Sequence, residues 1–349
     1  MRKTFIFVLL SFFTALSFAK PQEEKPAWID NLNTIYPDSL YIAKLGKAQG
    51  AAKLNAVLAQ ENADNNVAEY LNVTIRSETV SKTNYETKIE AGKLSTSETK
   101  DNSRIIQTSV NMTLSGLSHT DAWYNKKEKT WYCVAYVSRD KAYEAYKPTV
   151  TDGRNKFLAL YEKAEAEKDY LKKCIILRKA QNEGKDFLNS YNFAILLNKQ
   201  ITENDFYKDR ENLATIPARI KELVLKSSIN ITVENDYASN VYSSIANSLS
   251  EIGFRVQESN SQYHLFAKIK LNQKASAKIV VLNPSVSIII KNSNENIYSF
   301  NCHGDEVKAF AKETAHNLAA ENLAEHLTNE LVNDFESIFG ILNYDLILF

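Results

Sequence analysis

Two hydrophobic periods alternate along this 349-residue chain. Short apolar/polar alternation predicts strands, and apolar residues three or four apart predict helices. The first strand is expected over 41–46. Gly46 and Gly50 bracket Lys47-Ala48-Gln49, which predicts a sharp turn between a strand and a helix. From 51 to about 71, Ala51, Leu54, Leu58, Ala63, Val67, Ala68 and Leu71 fall near one helical face, and the many alanines let that helix lie close to a sheet. Residues 72–80 alternate, with Val73, Ile75, Ser77 and Thr79 facing one way, and predict a second strand. A polar stretch over 81–103 predicts a long hairpin or loop, and 105–114 a third strand. Ala122-Trp123-Tyr124 and the run 130–137 are aromatic, β-prone arms around a charged turn at 125–129, the pattern of a β-hairpin. A helix is expected from 138 to 146, ended by Pro148.

The character then changes. Thr151 or Asp152 is placed to cap a helix carrying Phe157, Leu158, Leu160, Tyr161 and Ala164. A second helix carries Tyr170, Leu171, Cys174, Ile175, Leu177 and Ala180 and is expected to end near Gly184. A third carries Phe187, Leu188, Tyr191, Phe193, Ala194, Leu196 and Leu197. Beyond Ala218 strands return: 229–233, then an amphipathic helix over 237–252 with Gly253 as its stop, then 254–256, 263–271, two runs within 278–291 broken at Asn283-Pro284, and 296–302. A long helix over 306–339 is expected to bury Val307, Phe310, Ala311, Ala315, Leu318, Leu323, Leu327, Leu331 and Phe335. The tail 343–349 reads as a strand or arm docking on the last domain. The expected fold class is α+β: two small sheet-plus-helix domains of β-α-β-β-β-α type joined by a helical insert. Their expected boundaries are 26–147, 148–216 and 217–349.

The N-terminus alters where this fold should work. Met1-Arg2-Lys3 is basic, 5–18 is apolar apart from Ser and Thr, and Ser17-Phe18-Ala19 offers small residues before a cut, so 1–19 reads as a secretory signal peptide. The first cysteine is Cys133, so no lipidated Cys follows the cut. No later apolar run reaches the roughly 20 residues of a membrane span. Removing Arg2 and Lys3 leaves 40 basic and 42 acidic side chains. That balance supplies no field to hold nucleic acid. Three cysteines, Cys133, Cys174 and Cys302, would sit in an oxidising compartment. One disulfide among them and three buried thiols are both open readings, and spacing chooses no pair.

Chemistry-bearing motifs are sparse. There is no Gly-x-Ser-x-Gly elbow, and the segment 46–50 lacks the glycines and the Lys-Ser/Thr of a phosphate loop. Cys302, His303, Asp305 and Glu306, with His316 and His326 beyond, form the densest run of metal-ligand types. Ten residues of helix turn about 1000°, which sets the last two histidines apart. No cofactor, metal or catalytic residue is assigned. Trp123, Tyr124, Trp131, Tyr132 and Tyr136 on the aromatic hairpin form the candidate interaction surface, since Tyr and Trp favour interfaces.

Pro26-x-Trp28, the strand and glycines over 41–50, the Ala-rich helix and the run 73–80 resemble the Lpp-twenty family of bacterial envelope lipoproteins, itself similar to the N-terminal part of flagellar assembly protein T. The resemblance covers about 26–147. The last domain resembles, in its order of elements, periplasmic accessory proteins related to penicillin-binding-protein activators and curli secretion. What this implies is a non-enzymatic secreted or periplasmic accessory or scaffold protein of the cell envelope, at the periplasm or the inner side of the outer membrane. Its implied partners are other envelope proteins or its own copies, with peripheral membrane association. The alternative expectation is a peptidoglycan- or small-ligand-binding module using the aromatic hairpin.

Overall fold

The computed structural model describes residues 24–86, 116–236, 239–274, 279–293 and 295–339, with side chains not described over 75–86. The expected signal peptide, the strand over 105–114, the polar stretch beyond 86 and the tail 343–349 lie outside these residues. The fold is mixed α+β with two sheets. The described residues form two compact units: 24–74 with 116–142, and 75–86 with the chain from 143 onward.

In the first unit, β1 (Tyr41–Gln49) pairs antiparallel with β4 (Thr130–Ser138) from Tyr41↔Ser138 to Gln49↔Thr130. On its other edge β4 pairs with β2 (Ser118–His119) and β3 (Trp123–Asn125). A short helix α1 (Leu32–Ile35) precedes β1, and α2 (Leu54–Glu86) follows it. The buried stripe of α2 is Ala59, Ala63, Val67 and Leu71, four residues apart. Leu54 is 69% exposed and Leu58 40%, although both were expected on the buried face. The reason lies in β1. Gly46 is inside the strand, not in the turn, and a Cβ there would come within 2.1 Å of the Ala59 carbonyl and 2.3 Å of the Ala63 nitrogen. The helix touches the sheet backbone to backbone, so only small residues fit the crossing. Gly50 makes the turn, at φ +113°.

The predicted strand over 72–80 is helix: α2 continues through it to Glu86. Local alternation loses to continuation, because no Gly or Pro interrupts the chain between Gly50 and Gly92 and extending a helix adds one bond per residue.

The second unit begins with three long helices, α3 (Arg139–Ala166), α4 (Tyr170–Leu197) and α5 (Lys199–Lys226). Pro148 does not end a helix; it lies inside α3 on the exposed side. One backbone bond is lost there, while Tyr143, Tyr146, Val150 and Phe157 keep both flanking turns buried. Thr151 is mid-helix and not a cap, its hydroxyl donating to the Lys147 carbonyl at 2.9 Å. Gly184 likewise does not stop α4. A Cβ there would meet Leu213 Cδ1 of α5 at 2.4 Å, so the glycine admits a neighbouring helix. Gly153 does the same in α3, beside the Phe187 backbone at 3.1 Å. Phe157 and Phe187 stack at 6.0 Å, and Tyr143 donates to Asp205 at 2.7 Å. Asn198 closes α4 and caps α5 by accepting from Ile201 N–H at 3.1 Å.

The second sheet has the order β6-β5-β7-β8, with β9 and β10 sharing the far edge of β8. Its strands are β5 (Ser228–Glu234), β6 (Arg255–Val256), β7 (Tyr263–Lys274), β8 (Val280–Lys291), β9 (Asn296–His303) and β10 (Val307–Ala309). β8 is one continuous strand despite Pro284. The Pro284 carbonyl accepts from Gly304 N–H at 3.0 Å where the partner changes from β9 to β10, so the missing donor falls in that gap. Helices α6 (Asn240–Ile252) and α7 (Lys312–Phe339) cover one face of this sheet. α6 stops at Gly253 with φ +106°. α7 starts later than the predicted residue 306: Val307–Ala309 is pulled into the sheet against 280–282, and Phe310 is left 87% exposed. Leu318 is also exposed, and the helix instead buries Ala315, Ala319, Leu323, Leu327, Leu331 and Phe335.

Replacing Gly46 by Ala is expected to destabilise the protein by about 3 kcal/mol, because the backbones of β1 and α2 must separate. Gly50→Ala, which strains only a turn, should cost about 1 kcal/mol. Urea unfolding of the two variants checks the order; equal losses would contradict the close crossing.

Candidate functional site

The candidate hairpin forms as expected, with Trp123 opposite Tyr132 and Tyr124 opposite Trp131. The structure divides its five aromatic residues among three surroundings. Trp123 and Tyr132 are buried against each other, ring centroids 5.9 Å apart. Tyr132 also donates to Glu128, which pushes its phenol pKa up to about 12, and lies under the Lys47 ammonium at 5.4 Å. Tyr124 and Trp131 pack at 5.1 Å and stay half-buried. Tyr136 joins Tyr36 at 4.4 Å and Tyr41 at 6.3 Å. The indole N–H groups of Trp123 and Trp131 are buried and find no acceptor among the described residues. Such groups usually have a partner when buried.

A second candidate emerges from the six-stranded sheet. Along β7, Tyr263, Leu265, Ala267 and Ile269 point to the helix-covered side and are buried. His264, Phe266, Lys268 and Lys270 occupy the opposite face. Cross-strand pairing extends that open face to Thr232 and Glu234 on β5, to Ser285, Ser287, Ile289 and Lys291 on β8, and to Ser299, Asn301 and His303 on β9. At one end the face deepens into an open concavity of about 790 Å³ between the loop 258–262 and residues 292, 293, 295 and 296.

The floor of this concavity is an aromatic stack. The His264 ring lies on Phe266 at 3.9 Å and 10°, and the Lys291 ammonium sits 4.1 Å from the Phe266 centroid. Thr232 Oγ1 and His264 Nε2 are hydrogen-bonded at 3.0 Å. Burial first, and the Lys291 charge second, lower the His264 pKa from its ordinary value, which favours the neutral ring. One wall is pinned by Asn230, whose amide donates to the Glu258 carbonyl at 2.6 Å. The other is pinned by Asp169. This residue caps α4 by accepting from Lys172 N–H at 3.0 Å, and it also accepts from Tyr263 OH at 3.2 Å and Asn292 Nδ2 at 2.8 Å. Lys172 adds an ion pair to Glu295 in the same turn. The helix start therefore holds the sheet and the turn together.

The sequence marks these loops only as turn-forming runs of Asn, Ser, Gln and Glu. That the two runs face each other follows from strand order, which no local pattern encodes. The three cysteines are buried and free, so the disulfide reading is corrected: no two of them meet. Burial pushes all three thiols up, Cys174 and Cys302 to about 12. His326 pairs with Asp305 at 3.2 Å; no group of metal-ligand residues gathers among the described residues. No described helix is long and apolar enough to cross a membrane.

No family model matches the chain, and no curated protein matches it. Among solved structures it is similar to the secreted protein HP1454 of Helicobacter pylori, at 11% identity over 87% of this chain and 98% of that one, with a TM-score of 0.27. It is also similar to a minor lipoprotein of Acinetobacter baumannii, at 11% identity over 31% of this chain and 92% of that one, TM-score 0.24. A third is lipoprotein GNA1162 of Neisseria meningitidis, at 12% identity over 31% and 99%, TM-score 0.21. Scores this low assign neither a family nor a function.

Asp169→Ala is expected to cost about 3 kcal/mol, since a cap and two buried-side partners are lost together. Chemical denaturation of this variant beside Asp169→Asn checks it, and a loss under about 0.5 kcal/mol would show that Asp169 is not a joint. Thiol labelling makes a separate check. In the native protein at pH 8 all three cysteines should react slowly, and in denaturant all three should react fast.

Proposed function

We propose that this chain is a non-catalytic, extracytoplasmic accessory or scaffold protein of a bacterial cell envelope, and that its working surface is the open face of the six-stranded sheet. The observation that carries this reading is the asymmetry of that sheet. Helices α6 and α7 seal one face with Ile, Leu, Val and Ala. The other presents lysines, serines and asparagines around a half-buried centre of Phe266 and Ile289. An apolar centre with a polar rim is the anatomy of a recognition surface. Much of the ionisable chemistry of the three long helices is committed to holding the fold. Tyr143, Asp205 and Lys147 join α3 to α5, as do Arg154 with Asp209 and Tyr161 with Arg219. The thiols are held protonated. The N-terminal pattern of a basic start, an apolar run and small residues before Lys20 supports export.

A second reading keeps the hairpin as a peptidoglycan- or small-ligand platform. The half-buried Tyr124–Trp131 pair, rings 5.1 Å apart, favours it as the accessible aromatic surface of the hairpin.

Site-specific photo-cross-linking in the producing bacterium tests the first reading. Probes at Lys270, Ser287 and Asn301, on neighbouring strands of the open face, should give one discrete adduct. A probe at the exposed Tyr207 of α5 should give none. Adducts at every position, or at none, would overturn it.

A further inference from the structure

The concavity at the end of the open face has a chemistry of its own. It has the size of a ligand site, since such sites span about 300–1,000 Å³. Among its lining residues, Asn260, Asn296 and Gln262 have amides with no side-chain bond to the described residues. Each amide offers a donor and an acceptor in one plane. Ser259 adds a hydroxyl and Glu258 an acceptor. The floor is the His264–Phe266 stack; His264 and the Lys291 ammonium cover the two faces of Phe266, so the ring face left for apolar C–H groups is the outer face of His264. The charges balance: Lys291 and Glu258 both line it, and Glu295 is paired to Lys172.

This combination selects against a simple anion, which needs a net positive site. It also selects against a purely apolar ligand, which would strand the amides. A pyranose ring fits both halves, with hydroxyls that donate and accept around its rim and C–H groups on its faces. The opening to solvent admits a chain of sugars and not only a single ring. The walls are built before any ligand arrives, since Asp169 ties Tyr263 and Asn292, and Asn230 ties the 258–262 loop. Preorganisation of that kind lowers the entropic cost of binding.

We propose that this concavity binds a glycan, with His264, backed by Phe266, as the sugar platform and Asn260, Gln262, Asn296 and Glu258 as its hydroxyl partners. The inference rests on reading the open face as the working surface. It is separable from that reading, because the cross-linking positions Lys270, Ser287 and Asn301 do not line the concavity.

The experiment is titration of the exported chain with an N-acetylglucosamine tetramer and, separately, with a peptidoglycan disaccharide-peptide, followed by calorimetry and tryptophan fluorescence. Binding of either with a dissociation constant of about 1 mM or tighter is expected. The two probes distinguish a free amino-sugar chain from cell wall as the source. Phe266→Ala should weaken binding about tenfold. The paired rim variant Gln262→Ala with Asn296→Ala, which touches no packed side chain, should weaken it similarly without lowering the melting temperature. None of the three tryptophans, Trp28, Trp123 and Trp131, lines the concavity, so fluorescence should stay unchanged. No binding of either probe at several millimolar would overturn the proposal. So would binding that survives both sets of variants, binding that shifts tryptophan emission, or competition by the peptide alone.

Discussion

Close approach of backbones at small residues is the constraint on which this structure depends. Gly46 lets α2 rest on β1 with Ala59 and Ala63 at the crossing. Gly153 and Gly184 let α3, α4 and α5 touch. Gly304 fits between Pro284 and α7, where a Cβ would meet Asn322 Oδ1 at 2.5 Å. Ala315 and Ala319 of α7 then lie on β8 beside Leu282. With the protein interior packed to crystal-like density, such contacts tolerate no added methyl. Serine serves the same end where α6 meets α7, with Ser244 donating to the Ala324 carbonyl at 3.0 Å.

That constraint also shapes the surfaces. Helices drawn onto one side of the second sheet leave its other side to solvent, and strand alternation fills that side with polar residues. The start of α4 then reaches the same sheet through Asp169, whose carboxylate serves backbone, phenol and amide at once. One side chain thus couples helix start, strand and turn, and the concavity beside it inherits a fixed wall. The buried thiols follow the same economy, filling the space of small apolar groups with their pKa values raised by burial.

Much of the fold was legible because strand alternation and helical stripes are local. The aromatic hairpin, β5, β7, β9, α6 and its stop at Gly253 lie where the pattern placed them. The departures share one cause. Residues 72–80 alternate but continue a helix, Pro148 lies in α3 and Pro284 in β8, and 307–309 joins a strand edge ahead of α7. In each the local preference is worth about a kilocalorie or a few, and the surrounding pairing or burial is worth more. Gly46 and Gly184 were read as turn and stop signals, yet they mark crossings, which a single chain segment cannot reveal. Of the site, the alternation of β7 showed which residues share a face, but not that residues 258–262 would confront Asn292 and Asn296.

By itself the sequence determined the α+β class and the existence of most elements, because these depend on composition and on periods of two and 3.6 residues. It also determined that His264, Phe266, Lys268 and Lys270 share one side of a strand. Tertiary structure decided which side was covered, which glycines served contact and which served turns, and that Asp169 would join three elements. Those outcomes depend on pairs of residues far apart in the chain, where packing and strand order outweigh any local signal.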